Sequence, residues 1–212
     1  MVDAINTGSP ATLYSAVNGS SLATKNTSTV STAGLVSGDS NKAFAFGGNS
    51  LIAAPNIALS NATGWTVFCI ARIDSVPALG NSALLQLTAR GSSCPELDVY
   101  DVDGAKFRFR AMLSGSSEIT MNATPQYSYG TRIAVAFRKR AGGAVDIFCN
   151  GSLVASSTST PSFAYGSEGN NYGAARFGPN TNYYSIPGPT DEFTLWQTPL
   201  SDVNCVALTS YS

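Results

Sequence analysis

Histidine is absent from all 212 residues, so no imidazole is available as a general base, a metal ligand or a pH switch. A Ser-His-Asp triad cannot be assembled, however many serines the chain holds. Cysteine is scarce as well. Cys69, Cys94, Cys149 and Cys205 form no CxxC pair, which argues against a structural zinc site and against a disulfide scaffold. Charge is sparse: 12 % of residues are charged, about half the usual share, and the net charge is −1. Twelve scattered Lys and Arg give no footprint for nucleic acid and no cluster for anionic lipid, so neither partner is expected. No apolar run is long enough to span a bilayer. The opening "MVDAINTGSPATLYSAVNGSS" has neither a basic n-region nor an apolar h-region and reads as the start of a mature chain.

What the chain does have is Ser, Thr, Asn, Gly and Ala in abundance, with 43 % hydrophobic residues, enough for a sizeable core under a polar, nearly uncharged surface. Short β-branched and aromatic runs recur: "KAFAFGG" (42–48), "TVFCIARI" (66–73), "ALLQLTAR" (83–90), "ELDVYDV" (96–102), "KFRFRAML" (106–113), "RIAVAFRK" (132–139), "AVDIFCNG" (144–151), "SLVASST" (152–158), "ARFG" (175–178) and "EFTLWQ" (192–197). Each is bounded by turn-forming residues, as antiparallel strands are. Asp103-Gly104 and Asn150-Gly151 predict two-residue hairpins, because both dipeptides favour φ > 0. Cys69 and Cys149 fall inside strand-like runs and read as small buried thiols. Five Asn-x-Ser/Thr sequons, at Asn18, Asn26, Asn61, Asn122 and Asn150, are what so Asn/Ser/Thr-rich a composition produces by chance.

Helix signals are confined to the end, where "TPLSDVNCVALTS" offers Ser201 as N-cap, Asp202 in the first turn, and Val203, Val206, Ala207 and Leu208 on one face. Residues 1–40 read as an N-terminal edge strand or an arm that orders on a partner, and residues 41–212 as one β domain without an internal repeat or linker.

The order of several segments carries a resemblance. "KAFAFGGNSLIAAPN", "GWTVFCIARID", "YGTRIAVAFRKRAGGAVDIFCNGSLVASS", "ARFGPN" and "PTDEFTLWQTPLSDVNCVAL" together resemble the concanavalin A-like, laminin G-like jelly roll over roughly residues 43–208. The resemblance implies an all-β fold of two antiparallel sheets closed by a short C-terminal helical turn. Where that family often has Trp-His before the "IAVAF" strand, this chain has Tyr129-Gly130-Thr131-Arg132, keeping the aromatic and losing the His. Members divide into glycan-binding modules, adhesion domains and hydrolases, and the fold does not choose among them.

The family's retaining β-glucanases carry a strand motif Glu-x-Asp-x-(x)-Glu, and "ELDVYD" is similar to its first part. The likeness would make Glu96 the nucleophile and Asp98 its helper. Retaining chemistry needs two carboxyls about 5–5.5 Å apart, and residues two apart on a strand share a face at about 6.6 Å. The third position of that face is Tyr100, and Asp101 points the other way unless a bulge rotates it. The competing reading is a hairpin in which Leu97 and Val99 face the core while Glu96 and Asp98 pair with Lys106, Arg108 and Arg110 on a half-exposed face. Catalysis is not expected on this reading; Glu96, Asp98 and Asp101 remain the alternative.

No cofactor is expected. Laminin G-like domains sometimes bind Ca²⁺ through loop carboxylates, which would make Asp191, Glu192 and Asp101 candidates, although Asp191-Glu192 reads more simply as the start of the last strand. For ligand binding the suggestive segment is 161–190, where Tyr165, Tyr172, Tyr183 and Tyr184 lie among Asn171, Asn182 and other small polar residues. Flat aromatics with adaptable hydrogen-bonding groups suit glycan or protein recognition, and equally suit loop packing. The composition resembles that of phage structural proteins. The expected function is therefore non-enzymatic attachment, as a capsid decoration protein, head fibre or tail-fibre module at a virion surface, assembled in the host cytoplasm. Its partners would be other coat proteins and cell-surface glycan. The alternative is an extracellular carbohydrate-active protein. Self-association would suit a fibre, but no coiled-coil heptad argues for it.

Overall fold

The computed structural model describes residues 2–3, 13–15, 21–25, 29–36, 42–46, 51–54, 59–77, 81–87, 95–112, 120–163, 170–172, 174–177 and 182–210. In chain order the strands are β1 (Val2–Asp3), β2 (Leu13–Ser15), β3 (Ser21–Lys25), β4 (Thr29–Ala33), β5 (Lys42–Phe46), β6 (Leu51–Ala54) and β7 (Trp65–Arg72). Next come β8 (Asn81–Gln86), β9 (Glu96–Asp101), β10 (Lys106–Met112), β11 (Thr120–Asn122), β12 (Tyr127–Ser128) and β13 (Arg132–Lys139). The last are β14 (Val145–Cys149), β15 (Ser152–Ser156), β16 (Asn170–Tyr172), β17 (Ala174–Phe177), β18 (Asn182–Ser185) and β19 (Gly188–Trp196), followed by the helix α1 (Asp202–Thr209).

These strands build two antiparallel sheets, as the family resemblance implies. The first runs β4-β5-β19-β7-β13-β14-β15. The second runs β2-β3-β6-β16-β8-β9-β10, with β11 and β12 both on the far edge of β10. β1 pairs with both β19 and β2, so it ties the two sheets at one edge. β17 and β18 form a separate hairpin.

Alternation in the sequence decides what fills the space between the layers. Trp65, Val67, Cys69 and Ala71 of β7, Ile133, Val135 and Phe137 of β13, and Val145, Ile147 and Cys149 of β14 all point inward. They meet Leu97 and Val99 of β9 and Phe107, Phe109 and Ala111 of β10. Trp65 sits edge-on to Phe137 at 5.1 Å, and Phe107 meets Phe109, Tyr127 and Tyr129 at 5.5–6.0 Å, favourable aromatic geometries. β7 begins tightly: Gly64 has φ +71°, and a Cβ there would lie 2.4 Å from the Lys139 carbonyl oxygen, so only glycine fits.

The first sheet is buried on its other face as well. Phe68, Ile70, Ala134, Ala136 and Phe148 are covered by Cys205 of α1, together with Val206, Leu208, Leu200, Trp196, Leu35 and Val36. Ser201 caps the helix, its hydroxyl accepting from the Asn204 amide at 3.2 Å, as its position in the sequence indicates. The buried face of the helix differs from the expected one: Cys205 and Thr209 point inward, whereas Val203 is 76 % exposed and Ala207 faces water. Thr209 is drawn in because its hydroxyl accepts from the Gly151 amide and donates to the Cys205 carbonyl. Val206 and Leu208, by contrast, pack against the apolar face as expected.

Of the two expected hairpin turns, Asn150-Gly151 matches, with φ of 45° and 79° at the two positions. The Asp103-Gly104 turn is one residue longer. Val102 N–H donates to Lys106 C=O, enclosing Asp103, Gly104 and Ala105. The reason is side-chain capping, since Asp101 accepts from the Gly104 amide and Asp103 from those of Ala105 and Lys106.

A buried ion network fastens the helix to the first sheet. Asp146, fully inaccessible, accepts from Arg138 at 2.7 Å, Arg140 at 2.7 Å and the Ser156 hydroxyl at 2.7 Å. Arg138 also reaches Asp202 of α1 at 2.6 Å and the Leu200 carbonyl at 2.7 Å. Burial by itself would raise the Asp146 carboxyl, but hydrogen bonds from Arg140, Ser156 and Arg138 hold it below the usual carboxylate range. Asp146→Asn leaves two guanidiniums without their shared anion. It is expected to lower unfolding free energy by about 3–5 kcal/mol, read as a fall in the urea midpoint, and an unchanged midpoint would refute the network's role.

Candidate functional site

The face of the second sheet turned away from the core carries the chain's densest set of described polar side chains, and strand register builds it row by row. In one row Asn171 of β16 stands opposite Gln86 of β8, Gln86 opposite Glu96 of β9, and Glu96 opposite Met112 of β10. The next pairs Asp98 with Arg110 and Arg110 with Asn122 of β11. A third pairs Asn81 with Tyr100 and Tyr100 with Arg108. Glu96, Asp98 and Tyr100 therefore share one face, as the two-residue spacing requires, while Leu97 and Val99 are fully buried in the core.

The acids are far less accessible than a half-exposed hairpin would leave them. Glu96 is 6 % exposed and Asp98 1 %. Arg110 donates from Nε and Nη2 to Asp98 Oδ2, at 3.2 and 2.6 Å, and Gln86 donates to Glu96 Oε2 at 3.1 Å. Oε1 of Glu96 and Oδ1 of Asp98 are buried with no protein donor. Burial, the adjacent Asp98 charge and a hydrogen bond to Asp98 raise the Glu96 carboxyl well above its usual range, outweighing Gln86 and Arg110. The shift favours the protonated form of Glu96 beside Asp98. Tyr100 lies beneath both arginines, its ring centroid 4.8 Å from the Arg110 guanidinium carbon and 5.3 Å from that of Arg108.

Of the expected bases, Arg110 faces an acid, Arg108 faces Tyr100, and Lys106 lies opposite Ser128 with no acid in register. Asp101 is not rotated onto this face. It stands opposite Phe107 and accepts a hydrogen bond from the Tyr129 hydroxyl, where Tyr129 packs on Phe107. Asp191 and Glu192 lie in the first sheet, at a bulge of β19 where Glu192 has φ 55°. Asp191 spends its oxygens on the amides of Leu35 and Glu192, at 3.0 and 3.1 Å. No group of three or more acidic or Cys residues that could hold a metal occurs among the described residues. The Cys69 and Cys149 thiols are buried in the core, and burial pushes that of Cys149 up to about 12.

Tyr165 lies outside the described residues. The backbone places Asn171 and Tyr172 in β16, and Asn182, Tyr183 and Tyr184 in β18, but their side chains lie outside what the structure describes. The β17–β18 hairpin runs beside β8, so the tyrosine-rich segment and the acidic strand flank the same strand. Sequence reasoning missed Gln86 and Asn122, whose only signal is register. In the unfolded chain Glu96 titrates near about 4.3, below its folded value, so the folded state holds a proton that the unfolded state releases. Stability is accordingly expected to fall as pH rises above that value. Denaturant unfolding at a series of pH values should show this slope in the native protein and a flatter one in Glu96→Gln, and equal slopes would count against the upward shift of Glu96.

The family profile of the concanavalin A-like lectin/glucanases superfamily matches residues 46–204. A search of curated proteins finds no match. Domain 4 of AbnA, a GH43 extracellular arabinanase from Geobacillus stearothermophilus in complex with arabinotriose, superposes with a TM-score of 0.63 at 17 % identity, over 89 % of this chain and 88 % of that one. The CBM40 of Ruminococcus gnavus IT-sialidase bound to alpha2,3 sialyllactose gives 0.50 at 17 %, over 70 % and 83 %. The botulinum neurotoxin type G receptor binding domain gives 0.62 at 10 %, over 97 % of this chain and 49 % of that one. At these identities the likeness is one of fold. With the profile covering most of the two sheets, the chain belongs to the concanavalin A-like lectin/glucanases superfamily.

Proposed function

We propose that this chain is a glycan-binding attachment protein without hydrolase activity. The observation that carries the reading is the outward face of the second sheet, where Arg108 and Arg110 lie over a half-buried Tyr100 ring and Asn122 stands opposite Arg110. Polar donors gathered around an aromatic side chain on an open sheet face suit a saccharide, whose hydroxyls they can bind. The arabinotriose-bound and sialyllactose-bound neighbours, being of the same fold, support a saccharide as ligand. Against hydrolysis stand the two Arg110 hydrogen bonds on Asp98 Oδ2, the upward shift of the buried Glu96 carboxyl, and the position of Asp101 on the opposite side of β9.

The setting we infer is a virion surface, as capsid decoration, head fibre or tail-fibre module, supported by the low charge and the Ser/Thr/Asn-rich composition. Antibody labelling of purified particles tests it, and label found only on free protein would remove the virion while leaving the glycan reading intact. For the glycan reading, an array of neutral and acidic oligosaccharides should give binding that Tyr100→Ala weakens roughly tenfold or more with the melting temperature of a folded protein. β-Glucan hydrolysis that Glu96→Gln abolishes would overturn the non-enzymatic reading.

A further inference from the structure

Arg108 and Arg110 occupy alternate positions of β10 and reach over the same tyrosine, yet only one of them has an anion. Arg110 is tied to Asp98 by two hydrogen bonds. Arg108 forms no salt bridge among the described residues, and its Nε, a buried donor, has no acceptor. Its described partner is the Tyr100 ring, 5.3 Å from the guanidinium carbon. A guanidinium stays charged at any accessible pH, and a buried N–H without an acceptor is costly. The nearest described carboxylate in register, Asp98, is taken by Arg110, so Arg108 stands beside Tyr100 without an anion among the described residues.

We infer that this face selects saccharides bearing a carboxylate, with Arg108 receiving the carboxylate beside the Tyr100 ring; the inference rests on the glycan-binding reading above. A planar carboxylate matches the planar guanidinium fork with parallel hydrogen bonds. The sugar ring bearing the acid would then lie beside Tyr100, with Asn122 in the adjoining row for a hydroxyl.

Calorimetric titration of the whole chain against sialyllactose and lactose, and against oligogalacturonate and its methyl ester, tests this directly. The acid form of at least one pair should bind about tenfold to a hundredfold more tightly, with the gap narrowing as salt is raised. In Arg108→Gln the acid-to-neutral ratio should collapse toward one, and Arg108→Lys, which keeps the charge and loses the fork, should fall between. Equal affinities within both pairs, with Tyr100→Ala weakening all of them, would overturn acid selection and leave the glycan face standing. No binding to any sugar would sink both readings. A ratio that survives in Arg108→Gln, or a sulfated lactose bound as tightly as sialyllactose, would also overturn the inference. The native comparison needs no variant, and melting curves confirm that each variant folds.

Discussion

A carboxylate cut off from water must be paired, and the rest of this structure depends on how Asp146 meets that requirement. Its two oxygens gather Arg138, Arg140 and Ser156 from β13, the following turn and β15. Arg138 then carries the network outward to Leu200 and Asp202, at the start of the helix. The helix is thereby held over Phe68, Ile70 and Phe148, an apolar surface that would otherwise face solvent. Desolvating so many charges is expensive, and such a network is better at fixing one arrangement than at adding stability. Here the arrangement it fixes buries both faces of β7, β13 and β14.

The outward face of the second sheet answers the same electrostatic requirement incompletely. Asp146 has donors on both oxygens, whereas Asp98 and Glu96 each keep one oxygen without a protein donor. Arg138 is surrounded by acceptors, whereas Arg108 lacks one at Nε. Full satisfaction marks the structural cluster, and unfilled hydrogen-bonding capacity beside an aromatic ring marks the binding candidate.

The sequence made strand faces legible and hydrogen-bond destinations illegible. "RIAVAFRK" spans β13 residue for residue, and "ELDVYD" divides into core and outward residues by alternation alone. What alternation cannot report is how deeply the outward residues are covered, so the near-complete burial of Glu96 and Asp98 had no local signal. Lys106 looked like a partner for the acids because it lies on the right strand, but the Asp101 and Asp103 caps lengthen the turn and register sets it against Ser128. Val203 looked like a core residue because it is apolar, but Cys205 and Thr209 take the inward positions of the helix. Asp191 looked like a possible metal ligand because it is acidic, and in the fold its oxygens accept from the amides of Leu35 and Glu192.

The likeness of "ELDVYD" to a glucanase strand has a physical explanation that does not require a reaction. Two carboxylates on one face of a strand repel, so any sequence that places them there must supply a proton or a cation. This chain sets Arg110 on Asp98 and raises the Glu96 carboxyl by burial. A nucleophile needs an ionised and accessible Glu beside a separate acid. Here Glu96 is 6 % exposed with its carboxyl shifted upward, and Asp98, 1 % exposed, accepts two Arg110 hydrogen bonds on one oxygen. The side chains with capacity to spare are Tyr100 and Arg108 in the adjoining row, and these suit holding a saccharide better than cleaving one.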